Sequence, residues 1–207
     1  MMPNMPTKPR PKLTLTCVIP YILIGAGIVG LISSFVLTYD KMALLKNPSF
    51  VPNCNLDPVL SCGSVMHTAQ SSAFGFPNPW IGLAGFAVVL TIGVSLLASA
   101  TFKRWFWVAF EAIMVLALAF AGWLLFESIY RIGALCPYCL AVDVALIISV
   151  WYLTLYVLQE KFLRLPARFN AGATFARRHH GEVLVVVFLI IIGLILQHFW
   201  YYYGQHI

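Results

Sequence analysis

Five apolar stretches, each about as long as a helix that crosses a membrane, divide this chain. They cover residues 18–37, 80–100, 105–126, 137–158 and 183–203. A hydrocarbon core about 30 Å thick takes roughly 20 apolar residues per helix. Open strands leave backbone N–H and C=O groups unpaired in lipid, so each stretch reads as a helix. Composition points the same way. Of the 207 residues, 61% are apolar and 10% are charged, where a soluble domain is about a quarter charged. An ordinary soluble domain and a disordered chain are both excluded. The basic residues are few and scattered, which argues against a sizeable nucleic-acid surface. The expected fold class is an all-α integral membrane protein with five transmembrane helices.

The first stretch follows a basic leader, Lys8, Arg10 and Lys12, as a signal peptide would. Its apolar core is too long and no small-residue cleavage site follows, so it reads as an uncleaved span. Orientation follows from Lys and Arg in the short loops. The leader, the turn with Lys103 and Arg104, and the loop with Lys161, Arg164, Arg168, Arg177 and Arg178 hold ten of the thirteen basic residues. Lys41, Lys46 and Arg131 fall on the other side. The N-terminus is therefore expected in the cytoplasm and the C-terminus outside, which suits five spans. The basic loop after the fourth span reads as a surface that meets anionic lipid headgroups. The expected organisation is a leader at 1–16, a catalytic bundle at 17–160 with its outer loop at 38–79, a basic loop at 161–182, and a fifth helix with a short tail at 183–207.

This topology sorts the cysteines. Cys54, Cys62, Cys136 and Cys139 all fall on the outer, oxidising side, where disulfides persist. Cys17 sits apart at the inner edge of the first span and reads as a thiol without a role. In Cys136-Pro137-Tyr138-Cys139 the two thiols share the first turn of a helix. Unpaired N–H groups there favour a thiolate, and Pro137 fits a position whose N–H has no partner in any case. A ring that small gains little from loop entropy, so opening and closing is its better use. A structural disulfide or half of a zinc site is the alternative. Cys54 and Cys62 have seven residues between them, with the turn signal Asp57-Pro58. A stapled loop is one reading of that pair; exchange with the second pair is the other. Zinc generally takes shorter spacings in both ligand pairs, and haem attachment needs His where Leu140 stands, so no metal site is assigned.

At these residues the sequence resembles the vitamin K epoxide reductase family, in its bacterial branch. Three features carry the resemblance in order. Cys54 and Cys62 lie in the first outer loop. The run Ser72-Ala73-Phe74-Gly75-Phe76-Pro77-Asn78-Pro79-Trp80-Ile81-Gly82-Leu83 leads into the second span. Leu135-Cys136-Pro137-Tyr138-Cys139-Leu140 opens the fourth. Residues 18–158 are covered, and bacterial members also have a fifth span. The resemblance implies a four-helix bundle around a quinone (menaquinone or ubiquinone) plus a fifth helix, in the bacterial cytoplasmic membrane with the active site on its outer face. It implies that Cys139 lies next to the ring, that Cys136 exchanges with Cys62, and that Cys54 meets a protein partner. Bacterial members often carry a thioredoxin-like domain after the fifth span. This chain stops at Ile207, so the implied partner is a separate extracytoplasmic thioredoxin-like dithiol protein.

Three further positions compare with the family. Thr68 stands where members commonly have Ser, six residues after the inner loop cysteine. Asn78, four residues before Gly82, matches an Asn that can bond a quinone carbonyl. Asp143 stands where vertebrate members have Tyr, so epoxide reduction is not assigned. Asp143 lies four residues after Cys139 and shares its helix face; such an intramembrane acid usually faces a bundle interior. Arg131 is a candidate cation for it.

Residues 63–75 read as a lid, with Val65, Met66, Ala69 and Ala73 able to share one helical face. His67 reads as a surface residue. Trp80, Trp105, Trp107 and Tyr201 to Tyr203 read as interfacial anchors, and Glu111 as snorkelling or paired within the bundle. The function that follows is a membrane thiol:quinone oxidoreductase. One rival is the disulfide bond formation protein B type, whose C-x-x-C lies in the first outer loop instead. The rival from another class is a structural or adaptor membrane protein with two static disulfides.

Overall fold

A computed structural model describes residues 15–163 and 170–203 of the chain. The leader basics, Arg164, Arg168 and the last four residues lie outside that range. Helix α1 covers Leu15–Lys46, and the short α2 covers Cys62–Met66. A single 3-10 turn, Ala69–Ser72, precedes α3 at Pro79–Leu97. Helix α4, Arg104–Glu127, runs on as a π-helical turn, Ser128–Ile132. Helix α5 is Pro137–Gln159, α6 is Asn170–Arg178 and α7 is His180–Tyr203. Among the described residues, five helices are long and apolar enough to cross a membrane. The only extended pairing among them is two isolated bridges.

Helix α1 packs along α3 and α5, and α4 packs on α5. Ile19, Leu23, Phe86, Val89, Phe110, Met114, Leu146 and Leu153 meet in the core. Close approach of α1 to α3 depends on Gly27. A Cβ there would lie 2.9 Å from the backbone of Leu90, tighter than packed atoms tolerate. Gly27→Ala is therefore expected to cost about 1–3 kcal/mol, read as a lower unfolding temperature in detergent. An unchanged midpoint would show that the two helices do not need this contact.

Four sequence expectations change. Helix α1 does not stop near residue 37. Its 32 residues make about 48 Å of helix at 1.5 Å per residue, well beyond a hydrocarbon core of about 30 Å. The extra turns are held because Leu37, Asp40 and Leu44 share a buried face. The loop that follows therefore begins at Asn47. The lid is not one helix but two short pieces, because Thr68 is extended between them. Trp107 is no interfacial anchor: it is 2% exposed and packs edge-on against Tyr156 at 4.9 Å. Trp80, Trp105 and Tyr201 are exposed at helix ends. Arg131 reaches Glu127 at 3.6 Å rather than Asp143.

Candidate functional site

The first loop is folded by its own turn. Asp57 Oδ1 accepts from the N–H groups of Val59 (2.8 Å) and Leu60 (2.7 Å). Such Asx caps let Asp start a tight turn. The N–H of Leu56 then donates to Leu60 O at 2.9 Å. The turn brings Cys54 and Cys62 to a Cα separation of 5.6 Å, and they are disulfide-bonded. Asn55 ties the far side, its Oδ1 accepting from Gly63 N at 2.8 Å.

A second pairing lays this loop on the start of α5. The N–H of Leu135 donates to Val59 O (2.7 Å), and the N–H of Ser61 donates to Leu135 O (2.9 Å). This is one rung of parallel bridge between Leu60 and Leu135. Gly133 makes the approach possible, taking a left-handed φ of 70° at the end of the π-helical turn, which favours glycine. Phe199 of α7, fully buried, packs with Val59, Ile129 and Leu135 and so backs the bridge.

Cys62 follows Leu60 by two residues and Cys136 follows Leu135 by one, and their sulfurs lie 3.3 Å apart. Cys136 caps α5: its sulfur accepts from the N–H of Cys139 at 3.3 Å, and Pro137 occupies the first turn. A hydrogen bond from the Cys139 thiol holds the Cys136 thiol below its ordinary value, against the opposing effect of burial. Leu37, Leu44, Met66 and Phe50 enclose the sulfurs in an apolar shell. Both disulfide cysteines are buried. The structure thus brings all four sequence-selected cysteines into one cluster, three of them in contact order Cys54, Cys62, Cys136. Cys17 lies exposed near the other end of α1.

Below the cluster a cavity of about 420 Å³ opens among α1, α3, α4 and α5. Its walls are largely apolar, with Cys139, Thr68, Asn78 and Asp143 among its few polar positions. Thr68 donates from Oγ1 to Val65 O at 2.8 Å. Asn78 spends one amide hydrogen on Gln70 O (2.7 Å), and its Oδ1 accepts from Ala73 N (3.0 Å). The carboxamide carries a second hydrogen. These bonds hold the lid over the cavity.

Three residues that the sequence did not single out complete the clasp. Lys41 of α1 donates from Nζ to Met66 O and to Ser71 Oγ. On the other flank, Gln70 Nε2 donates to Glu127 Oε2 at 3.2 Å. His67 is exposed. Glu111 is buried in α4 and accepts from Thr154 Oγ1, which places it within the bundle.

The model of the vitamin K epoxide reductase family matches residues 21–154. No individual curated protein matches the chain.

Proposed function

The chain belongs to the vitamin K epoxide reductase family, and from that premise we propose that it is a membrane thiol:quinone oxidoreductase. Electrons pass from an extracytoplasmic thioredoxin-like dithiol protein to Cys54–Cys62, then to Cys136–Cys139, then to a quinone. The observation that carries this reading is the row of sulfurs. A closed Cys54–Cys62 disulfide lies 3.3 Å from Cys136, and Cys139 of the same helix turn opens into the cavity. The bias of Lys and Arg supports placing the cysteine end outside the bacterial cytoplasmic membrane.

The cavity fits the acceptor. Sites for small molecules commonly measure about 300–1,000 Å³, with apolar walls and a few placed polar groups. This one has that size and lining, with Asn78 and Asp143 to hold carbonyl oxygens and Thr68 beside them. A bound quinone supplies a two-electron, two-proton acceptor.

The chain's own steps are disulfide exchanges. The Cys62 thiolate attacks Cys136 Sγ of a Cys136–Cys139 disulfide. The Cys62–Cys136 bond forms, and Cys139 leaves as a thiolate into the cavity. Cys54 then attacks Cys62, which remakes the Cys54–Cys62 bond and releases Cys136. The conformation described here, with Cys54–Cys62 closed and both Cys136 and Cys139 reduced, corresponds to the end of that sequence. The hydrogen bond from Cys139, which lowers the Cys136 thiol's pKa from its ordinary value, suits Cys136 as a leaving thiolate.

Asp143 is the acid nearest this chemistry along the helix, and its role is to hold a carbonyl and to move a proton. Asp143→Leu is expected to raise the quinone KM or lower turnover about tenfold or more, equivalent to ~1.4 kcal/mol. Asp143→Asn keeps a donor and should retain binding better. A folded Leu variant with normal kinetics towards quinone would remove Asp143 from the site.

The whole reading is tested by giving purified protein dithiothreitol and a short-chain ubiquinone or menaquinone. Catalytic loss of quinone absorbance is the expected result. A folded protein that leaves the quinone oxidised would return the chain to a scaffold with static disulfides.

A further inference from the structure

We infer that Asp40 is the proton acceptor and donor for Cys54 during disulfide exchange, a step that rests on the relay proposed above. Asp40 belongs to the part of α1 beyond the expected end of the first span. Its helix face carries Leu37 and Leu44, both packed on the cysteine cluster. The side chain is buried, and Oδ2 lies 3.9 Å from Cys54 Sγ.

Nothing else at hand explains a carboxyl group there. Buried acids are normally paired with a cation or given several donors. Among the described residues Asp40 has no ion pair. Its neighbour Lys41 turns to the lid, with its ammonium on Met66 O and Ser71 Oγ. The other buried acids are differently placed: Glu127 meets Gln70 and Arg131, and Glu111 meets Thr154. Asp40 alone of the three faces a sulfur.

The proton balance gives the group its task. When Cys54 attacks the Cys62–Cys136 mixed disulfide, the Cys54–Cys62 bond forms and the Cys62–Cys136 bond breaks. Cys136 leaves with the electron pair as a thiolate, and the Cys54 proton passes to Asp40. On the reducing side, the partner's first thiolate attacks Cys54 and displaces Cys62 as a thiolate. The partner's second thiolate then closes the partner's own disulfide and displaces Cys54. Cys54 leaves as a thiolate and takes the proton back from Asp40. The sulfurs are enclosed by apolar side chains, so a fixed carboxyl does what water would do at an open site.

The step is measurable without quinone. In the full chain carrying Cys136→Ser and Cys139→Ser, reduced thioredoxin serves as the dithiol probe. Release of Cys54 as a free thiol from its mixed disulfide with thioredoxin is followed by acid quench, alkylation and mass spectrometry. Asp40→Asn keeps the shape and removes the proton; it is expected to slow that release roughly a hundredfold, and Asp40→Glu to recover most of that loss. Asn within about twofold of the native rate, or Asn and Glu equally slow, would overturn the assignment. A native chain that depends on Asp40 in this way yet reduces no quinone would sink the quinone reading and leave the Asp40 step standing.

Discussion

Replacing Cys139 with Ala is expected to end quinone reduction altogether, with protein and small dithiols alike. Cys136 and Cys139 both border the cavity, but Cys139 is the more exposed of the two, while Cys136 is buried against Cys62. Without Cys139, no dithiol can form at the cavity mouth and none can reoxidise there. The variant should also show where the relay stalls. The Cys136 thiolate stands 3.3 Å from Cys62 Sγ and can attack the Cys54–Cys62 bond. The Cys62–Cys136 bond then forms, Cys54 leaves as a thiolate, and Cys139 is missing to resolve the product. Non-reducing peptide mapping should find Cys62 joined to Cys136 and Cys54 alkylated. Residual turnover within about tenfold of native would mean that another group passes electrons to the acceptor.

Cys54→Ala separates the two ends of the relay. Turnover driven by a thioredoxin-like dithiol protein should fall at least about a hundredfold, because the only entry for a protein thiolate is gone. Dithiothreitol is small enough to reduce the Cys136–Cys139 pair directly, and turnover with it should largely survive. The reason lies in the geometry. Cys54, Cys62 and Cys136 are all buried, but Cys62 and Cys136 lie against each other at 3.3 Å, and Cys54 is the outer end of that row. A protein partner can reach neither unless Cys54 receives it first. If Cys54→Ala and Cys139→Ala gave the same profile with dithiothreitol, the two pairs would not act in series.

The spans were legible because lipid imposes a length and a composition on any helix that crosses it. The start of α5 was legible for a local reason too: Cys136-Pro137 fits an N-cap followed by the first turn, and the structure has both. What the sequence did not announce depends on residues far apart in it. The rung between Leu60 and Leu135 sets the Cys62–Cys136 distance, and no periodicity in either segment signals it. In the sequence Lys41 counted only as a basic residue of the outer side, and Asp40 was not singled out. In the fold the two residues part company, one towards Cys54 and one towards the lid. Their signal was present but weak: Leu37, Asp40 and Leu44 keep helical spacing past the apolar run. Trp107 misled for the opposite reason. Its position near a span end suggested an anchor, while Phe102, Phe110, Tyr156 and Phe162 enclose it. The lid was expected as one amphipathic helix, but Thr68 is extended and splits it. Asn78 then acquires a second task in bonding the lid, beside the one that the family resemblance implies for it.

A static scaffold and a relay differ most sharply in stoichiometry. Protein with Cys54–Cys62 closed and Cys136 and Cys139 reduced is mixed with excess quinone under anaerobic conditions, in a single turnover with no added dithiol. Quinol is read by absorbance, and the thiols lost are mapped by alkylation and mass spectrometry. The relay requires one quinol for each pair of thiols lost, with both losses at Cys136 and Cys139 and a new bond between them. Quinone left oxidised beside intact Cys136 and Cys139 thiols, in folded protein, would contradict it.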